Sequence, residues 1–264
     1  MRSAGSGNKP GRVQWVDYAK GFCIIFVIMM HSTLGVEKAA GDTGWMHYLV
    51  QFAKPFRMPD FFLISGLFLG LVISRPWLRY IDRKVVHFAY FYVLWMTIQF
   101  VTKTPQWLGE GQSLMDVAQF WAMSLIEPFG TLWFIYMLPV FFIVTRLIKS
   151  VPWYLTLGVA ALLEILPIHT GWLLVDEFTS RYVYFFAGYL FAENIFRLAD
   201  WAKENVKIAV AGLLVWAVIN GLYTFVAVPD AVSIWLGLEP GKYYLSDLPF
   251  ISLALGAAGA VAII

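Results

Sequence analysis

Lys20-Gly21-Phe22-Cys23-Ile24-Ile25-Phe26-Val27-Ile28-Met29-Met30-His31 is a run in which no side chain between the two ends carries charge near pH 7. Extended from Val16 to Val36, it is long enough to cross a hydrocarbon core of about 30 Å as a helix. At about 100° per residue, His31 falls within about 20° of Lys20 around the axis and about 16 Å along it. One face therefore carries an ammonium at a membrane surface and an imidazole near mid-depth. Asp17 falls within about 60° of the same line. An ionisable ring at that depth is costly unless paired or wetted, and so marks a functional position.

The rest of the chain has the same character. It is 60% apolar and only 14% charged, against roughly 25% charged residues in a soluble domain, which describes an all-α, polytopic transmembrane bundle. A formal net charge of +2 over 264 residues gives no case for a nucleic-acid partner. The single cysteine, Cys23, excludes a disulfide framework within the chain and reads as a small buried hydrophobe. About eight apolar stretches are expected to span, at 16–36, 59–75, 85–102, 131–148, 151–168, 181–197, 206–228 and 246–264. Open sheet edges are excluded from lipid, so these are helices. Two further stretches, 45–56 and 113–127, read as surface or re-entrant pieces.

Residues 1–15 are expected to form a cytoplasmic tail and 16–264 a single membrane domain. Of the 19 Lys and Arg residues, thirteen fall on the side of the N-terminus, Arg2, Lys9 and Arg12 among them, and six on the other, including Lys54, Arg57 and Arg181. That bias predicts a cytoplasmic N-terminus. The last residues, Ala260 to Ile264, stop inside an apolar run without a polar exit, the pattern of a fragment or a shortened form.

Three clusters carry chemistry. A neutral imidazole at position 31 accepts a proton from a hydroxyl, which makes His31 a general base. The alternative is a ring bonded to Ser65 or to a neighbouring carbonyl, serving packing alone. In Pro55-Phe56-Arg57-Met58-Pro59-Asp60-Phe61-Phe62-Leu63-Ile64-Ser65-Gly66, Pro59 suits a first helical turn and Asp60 complements its positive end. Gly66 and Gly70 let a second helix approach, with Ser65 able to bond across the contact. Arg75-Pro76-Trp77-Leu78-Arg79-Tyr80-Ile81-Asp82-Arg83-Lys84 sets four cations in ten residues. They suit anionic lipid, or a phosphate cradle in which Arg forks hold phosphate oxygens and Trp77 or Tyr80 stacks on a base. His87, Glu164 and Glu193 are further candidates, whereas His47 and His169 read as boundary residues. The histidines lack catalytic-metal spacing, so no metal is expected.

These clusters resemble the acyltransferase 3 family of integral membrane enzymes. Arg12 to Gly21 with Met30-His31 is similar to the family's opening helix, and Phe61-Phe62-Leu63-Ile64-Ser65-Gly66 to its Phe-Phe-x-x-Ser-Gly element. Thr131 to Ile135 resembles its Leu-Trp-Phe segment, and Phe185 to Tyr189 a further helix. The resemblance implies about ten spans and transfer of an acyl group, commonly acetyl, from cytoplasmic acyl-CoA to a carbohydrate or lipid-linked glycan hydroxyl, in a bacterial inner membrane. No permanently bound cofactor is implied. His31 takes the catalytic position and Lys20 the paired basic one, with Ser65 or Lys20 steadying developing charge and Asp17 on the same stripe. Arg75, Arg79, Arg83 and Lys84 take the donor contacts, although the family's Arg-x-x-Arg is here Arg-x-x-x-Arg. Asp60 stands where a small or apolar residue is usual. A transporter or flippase using Asp60, Glu164 and His31, and a non-catalytic shortened paralogue, are the competing readings; no second half mirrors the first, as paired inverted repeats would require.

Overall fold

The computed structural model describes residues 13–264 as a set of helices, with a lone bridge between Ala227 and Tyr244 as the β-pairing among them. Residues 1–12 of the expected tail, with Arg2, Lys9 and Arg12, lie outside the described residues. Helix α1 (Gln14–Ala40) stops at Gly41, whose left-handed φ of 70° lets its amide bond back to the Glu37 carbonyl. Val16, Ala19 and Cys23 face the protein, while Tyr18, Ile25, Ile28 and Val36 face outward. A short α2 (Met46–Ala53) leads into α3 (Arg57–Gly66). Then come α4 (Trp77–Ile81), a π-helical turn at Asp82–Val86 and α5 (His87–Gly109), which together make one helix of 33 residues.

The remaining helices are α6 (Leu114–Met123), α7 (Trp133–Leu147), α8 (Trp153–Ile165), α9 (Leu173–Leu190), α10 (Ala192–Glu204), α11 (Val206–Phe225), α12 (Asp230–Trp235) and α13 (Pro249–Ala262). The surface piece expected at 113–127 is α6. It opens on a capping box in which Ser113 and Asp116 satisfy each other's amides, and the Ser113 hydroxyl and amide hold the Asp116 carboxyl below the usual carboxylate range.

Among the described residues four helices are long and apolar enough to cross a bilayer: Gln14–Ala40, Trp77–Gly109, Gly130–Leu147 and Val206–Phe225. Trp153–Ile165 and Pro249–Ala262 are apolar but shorter. The other two expected spans are not single helices. The 59–75 stretch is helical only to Gly66 and then descends through turns, and 181–197 divides between α9 and the charged α10. Helix α9 also begins eight residues earlier than expected, at Leu173, because Asp176, Glu177 and Arg181 mask it from a hydropathy reading. Conversely, the basic run expected to lie on the surface before 85 is already helical from Trp77.

Helices α3 and α9 form the most extensive pair in the bundle, with α1, α7, α8 and α13 around them. Their contact depends on two glycines. A Cβ on Gly66 would collide with the Phe185 carbonyl, and one on Gly188 with the Leu63 carbonyl, so the two backbones touch directly. Beside this seam Phe62, Phe141 and Phe185 interlock with centroids 5.1 and 5.3 Å apart, the first pair edge to face and the second tilted.

The turns between Gly66 and Trp77 need their carbonyls satisfied, since irregular backbone survives at membrane depth only where protein covers it. Arg146, near the end of α7, does this. Its Nη1 donates to the Ile73 carbonyl and its Nη2 to the Arg75 carbonyl at 2.5 and 2.6 Å, and its guanidinium lies 4.3 and 4.5 Å from the Trp77 and Tyr80 ring centroids. It is 7% exposed and makes no ion pair among the described residues. Arg146→Leu leaves both carbonyls without their donor, at about 1–3 kcal/mol each. The expected result is a clearly lower melting temperature in detergent, beside no change for Leu substitution of the exposed Lys149; equal melting would contradict the clamp.

Candidate active site

The two members of the α1 stripe face different surroundings. Lys20 is exposed, its Nζ 5.9 Å from the Phe68 ring centroid. Across from it Lys84 sits half-buried, its Nζ 4.7 Å above the Phe142 ring, and the charges of both Lys20 and Arg75 act on it. Lys20, Arg75 and Lys84, contributed by α1, the turns after α3 and the π-helical turn, therefore converge at one end of the bundle. A π turn inserts an extra residue per turn and so rotates the helix beyond it, a device found often at functional sites. Arg79 and Arg83 are exposed, as Lys20 and Arg75 are, and the charges that act on Lys84 are those of Lys20 and Arg75. Asp17 is exposed one turn before Lys20.

His31 lies about two-thirds of the way along α1, closer to its midpoint than to its far end. It is on the flank of the helix, neither in the seam with α3 nor on the outward apolar face. Its ring is open and bonds to no described residue, so the packing-only alternative, with Ser65 or a neighbouring carbonyl as partner, is not what forms. Ser65 instead donates to the Phe61 carbonyl of its own helix at 2.8 Å rather than bonding across the glycine contact. Lending its proton to another oxygen would require breaking that bond.

The structure adds two cations that the sequence places among the outer charges. Arg57 opens α3, and its Nε and Nη1 are buried without a hydrogen-bond partner. It acts electrostatically on His31, and Arg181 acts on it in turn. Arg57 precedes Gly66 by nine residues and Arg181 precedes Gly188 by seven, about 13 and 10 Å along neighbouring helices. The glycine seam thus sets the two guanidiniums at similar height. Arg181 pairs with Glu177 one turn earlier at 3.3 Å. A signal was present in the sequence: Arg57 lies between Phe56 and Met58, inside apolar surroundings rather than in a polar loop.

Glu164, expected on depth alone, belongs to this far group. Its Oε1 accepts from the Tyr184 and Ser252 hydroxyls, each at 3.2 Å, its Oε2 is buried without a partner, and the charge of Arg181 acts on it. Between α1 and α3, the Cys23 thiol donates to Asp60 Oδ2 at 2.7 Å, so this cysteine is more than a buried hydrophobe. The other candidates fall elsewhere. His47 bonds Glu37 at 3.0 Å, while His87, His169 and Glu193 are exposed.

The arrangement is an unbonded imidazole with cations toward either end of the membrane domain. Comparison with known proteins agrees with a membrane setting. The chain is 25% identical over 247 residues to the inner membrane protein YcfT of Escherichia coli (strain K12), covering 83% of this chain and 68% of that protein. It is 26% identical over 201 residues to the nodulation protein NolL of Sinorhizobium fredii (strain NBRC 101917 / NGR234), covering 73% of this chain and 51% of that protein. The chain thus spans about half the length of NolL. No solved structure matches. The acyltransferase domain of the acyltransferase 3 family matches residues 13–264, from the start of α1 to the end of α13, and the chain, a multi-pass membrane protein, belongs to that family.

Proposed function

We propose that this protein moves an acyl group, acetyl in the simplest case, from acyl-CoA to a hydroxyl of a carbohydrate or lipid-linked glycan, with His31 as general base. The observation that carries this reading is the open His31 ring on the same helix as Lys20, with the charges of Lys20 and Arg75 both acting on Lys84. In this reading the N-terminus is cytoplasmic, the membrane is a bacterial inner membrane, and CoA phosphates dock on Lys20, Arg75 and Lys84. The pantetheine arm then runs along α1 toward His31. Charge-assisted contacts of this kind hold phosphate strongly.

The acceptor enters from the far end. Its hydroxyl oxygen attacks the thioester carbonyl while His31 takes the hydroxyl proton; the tetrahedral adduct then expels CoA as thiolate, which recovers that proton from the imidazolium as the ester is released. Lys20 remains at the donor end, and Ser65 stabilises the developing oxyanion only when its hydroxyl leaves the Phe61 carbonyl.

Membranes containing the protein are expected to transfer label from acetyl-CoA to a carbohydrate fraction. Arg75→Gln and Lys84→Gln are each expected to raise KM for acetyl-CoA about tenfold, in line with about 1.5 kcal/mol for a hydrogen bond to a charged group. Arg79→Gln and Arg83→Gln are expected to change it less than threefold. Absence of transferred label would overturn the reaction, and a larger KM effect at Arg79 and Arg83 would move the donor site.

A further inference from the structure

The far group contains cationic donors that the general-base chemistry does not use. The nearby carboxyls each bond through at least one oxygen, Glu177 with Arg181, Glu164 Oε1 with Tyr184 and Ser252, and Asp60 Oδ2 with Cys23, while Glu164 Oε2 and Asp60 Oδ1 are buried without a partner. Arg57 is left with two buried N–H groups and no partner among the described residues. Arg57 is half-buried, and two of its three guanidinium nitrogens are withdrawn from water without a counter-ion, a costly arrangement for a fold to hold. A second guanidinium, Arg181, raises that cost further. A neutral sugar does not offset it, and neither does an acyl group.

We infer that Arg57 and Arg181 form a binding site for an anionic oxygen group on the acceptor, so that the preferred acceptor is a sugar or glycan carrier bearing a carboxylate or a phosphate. The inference deepens the acyl-transfer reading and rests on it. Guanidinium forks suit both oxyanions. Arg57 at the head of α3 adds the positive end of that helix to its own charge. Glu164 Oε2, buried and unbonded, accepts a hydroxyl of the same molecule. Because Arg57 also acts electrostatically on His31, an anion held there lies within electrostatic reach of the ring that activates the hydroxyl. A bound acceptor is thus anchored on the side of the base, which is how remote binding energy becomes orientation at a reacting centre.

The test measures binding apart from turnover. The purified protein in detergent, without acyl-CoA, is titrated with two matched pairs, methyl glucuronide against methyl glucoside and farnesyl phosphate against farnesol, while thermal unfolding is followed. At least one anion is expected to raise the melting temperature with concentration while its neutral twin does not, and the responding pair tells carboxylate from phosphate. Arg57→Gln and Arg181→Gln are each expected to weaken that apparent affinity at least tenfold. Arg57→Lys, which keeps charge and stem, is expected to retain part of it and serves where the glutamine variant does not fold. Equal response to both members of each pair, or native affinity in Arg57→Gln, overturns the inference. Loss of acyl transfer from acetyl-CoA with anion binding intact would instead count against the reaction, so the two failures are distinguishable.

Discussion

Replacing His31 with alanine is expected to lower kcat for acyl transfer by about 10²–10⁴-fold, the range supplied by a positioned general base. In barrier terms that is about 3–5 kcal/mol. KM for acetyl-CoA is expected to stay within about twofold, because the proposed donor contacts at Lys20, Arg75 and Lys84 lie at the other end of α1 and are untouched; an unchanged chemical environment there means unchanged ground-state binding. The ring bonds to no described residue, so its removal breaks no hydrogen bond and is expected to leave insertion and melting temperature near native values. Labelled acetyl-CoA, membranes with matched amounts of the two forms, and counting of label in product decide the matter. Native activity in His31→Ala would eliminate the base assignment, and a raised KM with native kcat would convert His31 into a donor contact.

The second large effect is on folding. Gly188→Ala is expected to destabilise the bundle by about 3 kcal/mol, the upper part of the range for overpacking a tight interior. The new methyl meets the Leu63 carbonyl, which is backbone within α3 and unable to rotate away as a side chain would. Relief requires moving α3 from α9, which also opens the reciprocal contact of Gly66 with Phe185 and Tyr189. Since α3 carries Arg57, Asp60 and Ser65, its displacement also disturbs the site, where a shift of about 1 Å costs about 10²-fold in rate. Gly158→Ala is the matched control: a Cβ there meets open space within α8, and a helix-interior alanine is worth about 0.5–1 kcal/mol over glycine. Equal melting temperatures for Gly188→Ala and native protein would show that the seam yields more easily than the backbone contact implies.

Several elements are legible in the residues alone. The run from Lys20 to His31 reads as a membrane helix because ten uncharged residues leave no other economical placement, and α1 covers it. Pro59 does lie in the first turn of α3, and the Gly66 contact with a second helix is present. Elsewhere averaging misleads. The 59–75 stretch is apolar enough to read as a span, yet it unwinds after Gly66, with Arg146 on its Ile73 and Arg75 carbonyls. Helix α9 shows the opposite error: three charged residues in its first half lower its hydropathy and displace its expected start by eight positions. That displacement sets Arg181 at a surface, when it stands two turns inside the helix.

The sequence by itself determined an all-helical membrane chain, the Lys20–His31 stripe and the resemblance that the family match bears out, because those depend on spacing along a single helix and on local composition. Only the tertiary structure decided which charges reach one another: that Lys20 and Arg75 act on Lys84, and that Arg57 acts on His31. Proximity between helices is set by the height at which they cross, here at Gly66 and Gly188, and by a π turn that rotates the residues after it. Neither quantity leaves a trace in hydropathy or in residue spacing, so the far cationic group became visible only once the backbones were seen to touch.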